Sequence, residues 1–288
     1  MMAGPLATHP LNRALSEVLS NPPTTDLAIY WLGQAGFVID LAGRRVVIDP
    51  YLSDSLAEKY RGTARPHLRM MPAPVAPDSI SAVDAVLCTH AHTDHMDPGT
   101  LKPLLASNPQ SKLVVPHAVV TQAADRSGRS TNAIIGTNAG ESLEVVSGLK
   151  INPTRAAHET LDTDLQGNHL YLGYVLYAGN TAIWHSGDCV PFPGLIAEAA
   201  SFSPDIAMLP VNGRQPELSE NGVPGNFSLE EAVTLARQIG ARSMIAHHYG
   251  LFDFNTEDPQ TIDAKAASCS DIQLVRASTG VAYCAALP

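Results

Sequence analysis

The chain has 288 residues, 45% hydrophobic and 16% charged, enough to bury a sizeable core. Its 18 basic residues against 28 acidic ones leave a net charge of −10, which argues against a broad phosphate-binding surface and so against nucleic acid as a partner. Cys88, Cys189, Cys269 and Cys284 lie far apart with no C-x-x-C pair, which excludes a disulfide framework or zinc knuckle as the simple account and fits reduced thiols.

From the amino terminus, "MMAGPLATHPLNRALSEVL" lacks a continuous apolar h-region, and nowhere do 18 apolar residues run together, so the expected location is cytoplasmic, without membrane insertion. "LAIYWL" and "GFVIDLAGRRVVIDP" are β-rich and joined by a Gly-containing turn, which predicts a hairpin. The Pro-rich stretch from Arg65 to Pro77, "RPHLRMMPAPVAP", has apolar runs on both sides and reads as an ordered loop or lid near a site. With no low-complexity linker and no repeat, residues 1–288 are expected to form a single domain.

The apolar run "AVDAVL" leads into "CTHAHTDHMDP". Asp97 followed by Pro98 has the chemistry of an N-cap and first helical position, so "PGTLKPLLAS" is predicted to be a short helix. Further apolar runs follow: "KLVVPH", "LEVVSGLKINPTRAAH", "LYLGYVLYA", "TAIWHSGD", "DIAMLPVNGR", "SMIAHHYG" and "VAYCAAL". "GRQPELSENGVPGN" reads as an exposed loop near a pocket. Then "SLEEAVTLARQIGA" carries Ser228 and Glu231 as a capping box and an apolar face from Leu229 to Ile239, predicting an amphipathic helix over a sheet.

His90, His92, Asp94 and His95 form H-x-H-x-D-H, and imidazole with carboxylate is the usual ligand chemistry of Zn, Mn or Fe. Residues two apart on an extended segment share a side, so His90 and His92 suit one ion, while Asp94 and His95 in the following turn suit a second. Four runs, "AVLCTH", "RAAH", "AIWHSGD" and "MIAHH", end on histidine or aspartate. A buried strand gains nothing in stability from such endings, so together they imply convergence, with His158, Asp188 and one of His247 or His248 as candidates.

These motifs, with "YWLGQAGFVID", "VVIDPYLS", "LPVNGR" and "HHYGLFDFNTEDP" in order, make nearly the whole chain resemble the metallo-β-lactamase superfamily, and within it the branch of the ascorbate-6-phosphate lactonase family. The resemblance implies an αββα sandwich, two mixed β-sheets flanked by helices, with two divalent metal ions at one edge. By it, His90, His92 and His158 would hold one ion, Asp94, His95 and His248 the other, and Asp188 would bridge, leaving His247 a bystander. Ala246 stands where the family usually has proline, and Cys189 where it often has threonine; the thiol is read as packing. Zinc heads the expected ions, with manganese and iron also compatible.

On that basis the expected activity is hydrolysis of a lactone or related ester of a small polar, sugar-derived molecule by a hydroxide held between the metals, with Asp94 orienting it and moving its proton. A small-molecule phosphodiesterase on the same dinuclear site is the alternative. Asp49 is read either as the partner of a ligating imidazole or as a turn residue before Pro50. Arg214, with Asn212, is expected to bind a substrate anion, and Tyr249 and His185 to hydrogen-bond a developing oxyanion. The expected partner is a small substrate, and self-association is left open.

Overall fold

The computed structural model describes residues 5–178 and 180–285. Its fifteen strands form two mixed sheets. The first holds β1 (Ala7–Pro10), β2 (Leu27–Gly33), β3 (Gly36–Leu41), β4 (Arg44–Ile48), β5 (Ala85–Leu87), β6 (Lys112–Pro116) and β7 (Ile134–Thr137). The second holds β8 (Leu143–Val146), β9 (Leu149–Arg155), β10 (Leu172–Ala178), β11 (Thr181–His185), β12 (Ile206–Pro210), β13 (Ser243–His247) and β14 (Gln273–Arg276). A last strand, β15 (Val281–Ala285), returns to the first sheet and inserts between β1 and β2, antiparallel to both. Each sheet runs antiparallel in one half and parallel in the other, the change falling between β4 and β5 and between β11 and β12.

Alternation explains how the layers stack. In β2, Leu27, Ile29 and Trp31 face the second sheet, and Ala28, Tyr30 and Leu32 face a helical layer. Both faces are covered, so the strand is buried along its length and reads as one apolar run instead of an alternating one. The outer layer of the first sheet comes from α1 (Leu15–Leu19), α3 (Pro98–Ser107) and α4 (Val120–Ser127), through Leu15, Leu101, Leu104 and Ala123. A short α2 (Ser55–Lys59) precedes the Pro-rich loop. On the second sheet lie α5 (Leu195–Ser201), α7 (Leu229–Gln238) and α8 (Pro259–Ser268), with a five-residue α6 (Pro216–Glu220) between β12 and α7. Fully burying one such leucine contributes roughly 1.5–3 kcal/mol, so a few of them hold each helix to its sheet.

The αββα sandwich with two mixed sheets is thus present. The hairpin forms between β2 and β3, but Ala42 and Gly43, both left-handed, fold its second run back into β4. "LEVVSGLKINPTRAAH" likewise breaks at Gly148 into β8 and β9. Asp97 caps α3 through Gly99, and Ser228 with Glu231 forms the capping box of α7. The exposed loop expected at "GRQPELSENGVPGN" contains α6, started by Pro216 at its first position. The last two residues of "VAYCAAL" lie outside the described residues. No helix among the described residues is long and apolar enough to cross a membrane.

Candidate metal centre

Strands β9, β11, β12 and β13 all point the same way, so the segments after them open at one edge of the second sheet. The loop after β5 meets that edge from the first sheet, Leu172 donating its N–H to the carbonyl of Thr89. His90, His92, Asp94 and His95 come from this loop, His158 follows β9, Asp188 follows β11 and His248 follows β13. The tight turn before Asp188 requires Gly187: its φ is +64°, and a Cβ there would lie 2.5 Å from the carbonyl oxygen of Leu172.

The donors fall into three overlapping groups: His90, His92 and His158; His90, His95 and Asp188; and Asp94, His95 and His248, each with its ligand atoms within 4.8 Å of one another. Asp188 lies between them, its Oδ2 3.2 Å from His95 Nε2, 3.2 Å from His248 Nε2 and 3.7 Å from His158 Nε2. Despite that proximity His95 Nε2 lacks hydrogen-bond geometry, and His90 Nε2, His158 Nδ1 and Asp188 Oδ1 are likewise buried without a partner. Buried polar atoms are normally satisfied, so the gathering of these unpartnered atoms in one place fits divalent cations.

Neighbouring groups prepare those lone pairs. Asp49 Oδ2 accepts from His95 Nδ1 at 2.7 Å and from Thr89 Oγ1 at 2.6 Å. With its one proton committed to Asp49, the Thr89 hydroxyl accepts from His90 Nδ1 at 3.0 Å. Both imidazoles therefore carry a proton on Nδ1 and turn Nε2 to the cluster, the orientation that metal-binding histidines require. Of the two readings of Asp49, the structure favours the partner of an imidazole. Burial, reinforced by His95 and His92, holds His90 well below the ordinary histidine range, and burial brings His158 to about 4. Burial also opposes charge on His95, but Asp188, Asp49 and Asp94 outweigh it and hold this ring well above its usual value.

Four other expectations change on the structure. The Tyr249 ring stacks on Trp31 at 5.1 Å, and its hydroxyl donates to the Ala277 carbonyl while accepting from Arg276 Nη1, so it faces the core. His185 Nε2 donates to the Ala35 carbonyl at 2.9 Å and Nδ1 accepts from Gly187 N at 3.0 Å, which saturates the ring. The left-handed turn at Gly213 carries Arg214 away from the centre into a two-pronged pair with Glu231, both contacts 2.6 Å, half in solvent. Asn212 accepts from Asn226 Nδ2 and donates to Asn255 Oδ1, so Asn255 and not Asn212 lines the cavity.

His247 sits behind the centre. Its ring is fully buried, stacked on His185 at 4.8 Å and edge-on to Phe37 at 5.2 Å. Burial lowers both histidines below their ordinary range, so they are neutral when folded, whereas in the unfolded chain they protonate near pH 6.5. Their contribution is therefore present above about pH 6.5 and lost as pH falls towards their folded values. His247→Leu should leave metal content unchanged and flatten part of the fall in melting temperature between about pH 6.5 and 5. Loss of metal from this variant would reassign the ligand pair.

The cluster forms the floor of a cavity of about 420 Å³. Opposite, His67 stacks on Tyr60 at 4.3 Å and meets Phe252 and Phe254 edge-on, so the Pro-rich loop does help to wall the site. Lys59, Arg65 and Arg126 also line it, and among the described residues the lining carboxylates are Asp94 and Asp188. Arg126 Nη1 bonds the carbonyls of Ala91 and Met96, bracing the ligand loop. Cys189 is packing: buried, with its thiol pushed up to about 12 by burial. Sequence reading missed Thr89, His67, Asn255 and Gln34 although all four lie in motifs it used; Gln34, in "YWLGQAGFVID", passed for a turn residue.

Comparison with known proteins agrees with this architecture. The family described as beta-lactamase superfamily domain matches residues 44–249. A "UPF0173 metal-dependent hydrolase" of Aeropyrum pernix is 26% identical over 246 residues, covering 80% of this chain and 85% of the relative. Among solved structures, a metallo hydrolase of the archaeon Ignicoccus hospitalis superposes with a TM-score of 0.65 at 20% identity, covering 91% of this chain and 99% of that one. An isothiocyanate hydrolase from Delia radicum gut bacteria gives a TM-score of 0.65 at 21% identity, covering 86% and 95%.

Proposed function

Because the chain belongs to the beta-lactamase superfamily domain family, we propose that it is a metal-dependent hydrolase opening a lactone or related ester of a small polar molecule. The observation that carries the reading is two groups of donors, one of His90, His92 and His158 and one of Asp94, His95 and His248, on either side of Asp188 at the floor of a cavity sized for a small molecule. His90, His92 and His158 would hold one divalent cation and Asp94, His95 and His248 the other, with Asp188 common to both. Zinc suits this donor set best, and manganese or iron is compatible. Bound cations would lower the pKa of water towards neutrality and polarise a substrate oxygen.

The remaining work falls to the chain. Asp94 Oδ2 is held by Gln34 Nε2 at 2.9 Å, so its other oxygen is the one placed to take up the proton of an attacking water and return it to a leaving alkoxide. The aromatic wall of Tyr60, His67 and Phe254 covers the body of the substrate and thins the water around it. Lys59 and Arg126 attract a substrate with a negative group, although the protein as a whole is acidic and Arg65 is paired with Glu217 at 3.1 Å. The same two cations favour a second reading, a small phosphodiester, over any uncharged alternative.

A hydrolysis screen on metal-stripped and metal-reloaded protein separates the two. Lactones and simple carboxylic esters should be turned over, the activity vanishing with chelator and returning with Zn²⁺ or Mn²⁺. Faster cleavage of bis(p-nitrophenyl) phosphate than of any lactone or ester would install the phosphodiesterase instead. Activity indifferent to chelator would remove both.

A further inference from the structure

Gln34 sits in the turn between β2 and β3 with φ at +50°, a backbone conformation that glycine adopts easily and glutamine does not. Its residue is 1% exposed, and its Oε1 is buried with no partner. A strained, buried, polar residue persists only where its surroundings over-determine it, and such residues gather at functional sites. Three contacts tie it to one half of the centre. Its Nε2 donates to Asp94 Oδ2 at 2.9 Å and lies 3.2 Å from His248 Nε2, while its carbonyl accepts from His248 N at 2.9 Å. Trp31 Nε1 also donates to that carbonyl, at 3.0 Å, and locks the turn.

Two more left-handed residues support this half, although Glu159, next to His158 on the other half, is left-handed as well, with φ at +75°. His248 itself has φ at +61°, and Asp49, which holds His95, has φ at +45°, whereas His90, His92 and His158 are not in the left-handed region. Two of the three donors in the group of Asp94, His95 and His248 are thus reached by Gln34, and the third is held by Asp49. The group of His90, His92 and His158 has no hydrogen bond to Gln34 among the described residues.

We infer that Gln34 is a positioning residue for one cation position only, its side-chain amide fixing Asp94 against His248 so that this group, and not that of His90, His92 and His158, is shaped before a cation arrives. The inference rests on the metal-dependent reading and adds to it an unequal pair of positions. A charge-assisted hydrogen bond to a ligating carboxylate orients it, and loss of such an outer partner lowers metal affinity roughly 10- to 100-fold.

The test is a calorimetric titration of metal-stripped protein with Zn²⁺, comparing wild type with Gln34→Gly and Gln34→Leu. Glycine removes the amide and relieves the left-handed backbone; leucine removes the amide and keeps the bulk. In both variants one equivalent should weaken roughly 10- to 100-fold and the other should bind as in wild type. Metal-free Gln34→Gly should melt no lower than metal-free wild type, which separates a positioning role from a merely structural one. Two wild-type-like equivalents in both variants overturn the inference, and so does a parallel weakening of both equivalents. Wild-type protein that takes up fewer than two Zn²⁺ per chain defeats the dinuclear reading itself, and the inference with it.

Discussion

Replacing Asp188 with alanine should weaken both cation positions at once and reduce turnover on the best substrate by on the order of 10³-fold. The carboxylate is 4% exposed and stands within 3.2 to 3.7 Å of imidazoles from both outer donor groups, so no other residue substitutes for its charge. Burial opposes its ionisation, yet His248 and His95 hold it well below the usual carboxylate range, so it is an anion throughout the working pH range. Loss of the cations' charge stabilisation is worth several kcal/mol, and each 1.36 kcal/mol is a factor of ten in rate. Elemental analysis together with kinetics decides the matter. A variant that keeps two ions per chain and a near-normal rate would show that the two groups do not share this residue.

The second large effect is on stability. Arg45, 1% exposed, grips both oxygens of Asp40 at 2.7 and 2.9 Å and donates from Nη1 to the carbonyls of Leu19, Asn21 and Ser81. Arg45→Met leaves a buried carboxylate and the carbonyls of Asn21 and Ser81 without this donor and should destabilise the fold by about 3–5 kcal/mol, measured by urea unfolding. Burial already raises the Asp40 carboxyl even with Arg45 beside it. Without the guanidinium the folded state keeps Asp40 protonated to still higher pH, and the unfolded chain releases that proton near 3.9. The variant should therefore be less unstable at pH 5 than at pH 8. Adding Asp40→Leu should recover part of the loss, since the carboxylate is gone but the carbonyls remain. A single variant within 1 kcal/mol of wild type would mean that water replaces the arginine.

Much of this was legible in the residues. Strands buried on both faces show as apolar runs, and a strand ending in histidine or aspartate has no reason internal to packing to do so, which is why six donors could be named from the residues, with the choice of His248 over His247 coming from the family resemblance. β1, β7 and β14 escaped because each is four residues long; β1 is exposed throughout and the other two are only partly buried, so neither length nor hydrophobicity announces them. Nearness in sequence also misleads: His185 lies three residues before Asp188 and Tyr249 directly after His248, but both point into the core, because left-handed turns at Gly187 and His248 redirect the chain between them and the donors. Arg214 was misplaced for a related reason. Gly213 does allow a turn, but the capping residue Glu231 is the anion waiting on the far side. Gln34 was hidden because a left-handed φ leaves no mark on any residue other than glycine.

The position of β15 has a consequence for how the protein comes into being. Because this strand lies between β1 and β2, the first sheet has a gap in its interior until residues 281–285 have left the ribosome, although β2 to β4 are made long before. A nascent chain therefore exposes the unpaired edge of β2, with Tyr30 and Ile29 alongside, for most of its synthesis, and an unpaired strand edge invites association with other chains. Joining residues more than 250 positions apart is also slow, since a long loop must close before any contact rewards it. Chains cut short before residue 281 would lose an interior strand and not a dispensable tail, and they should collect in aggregates while the untruncated chain stays dispersed.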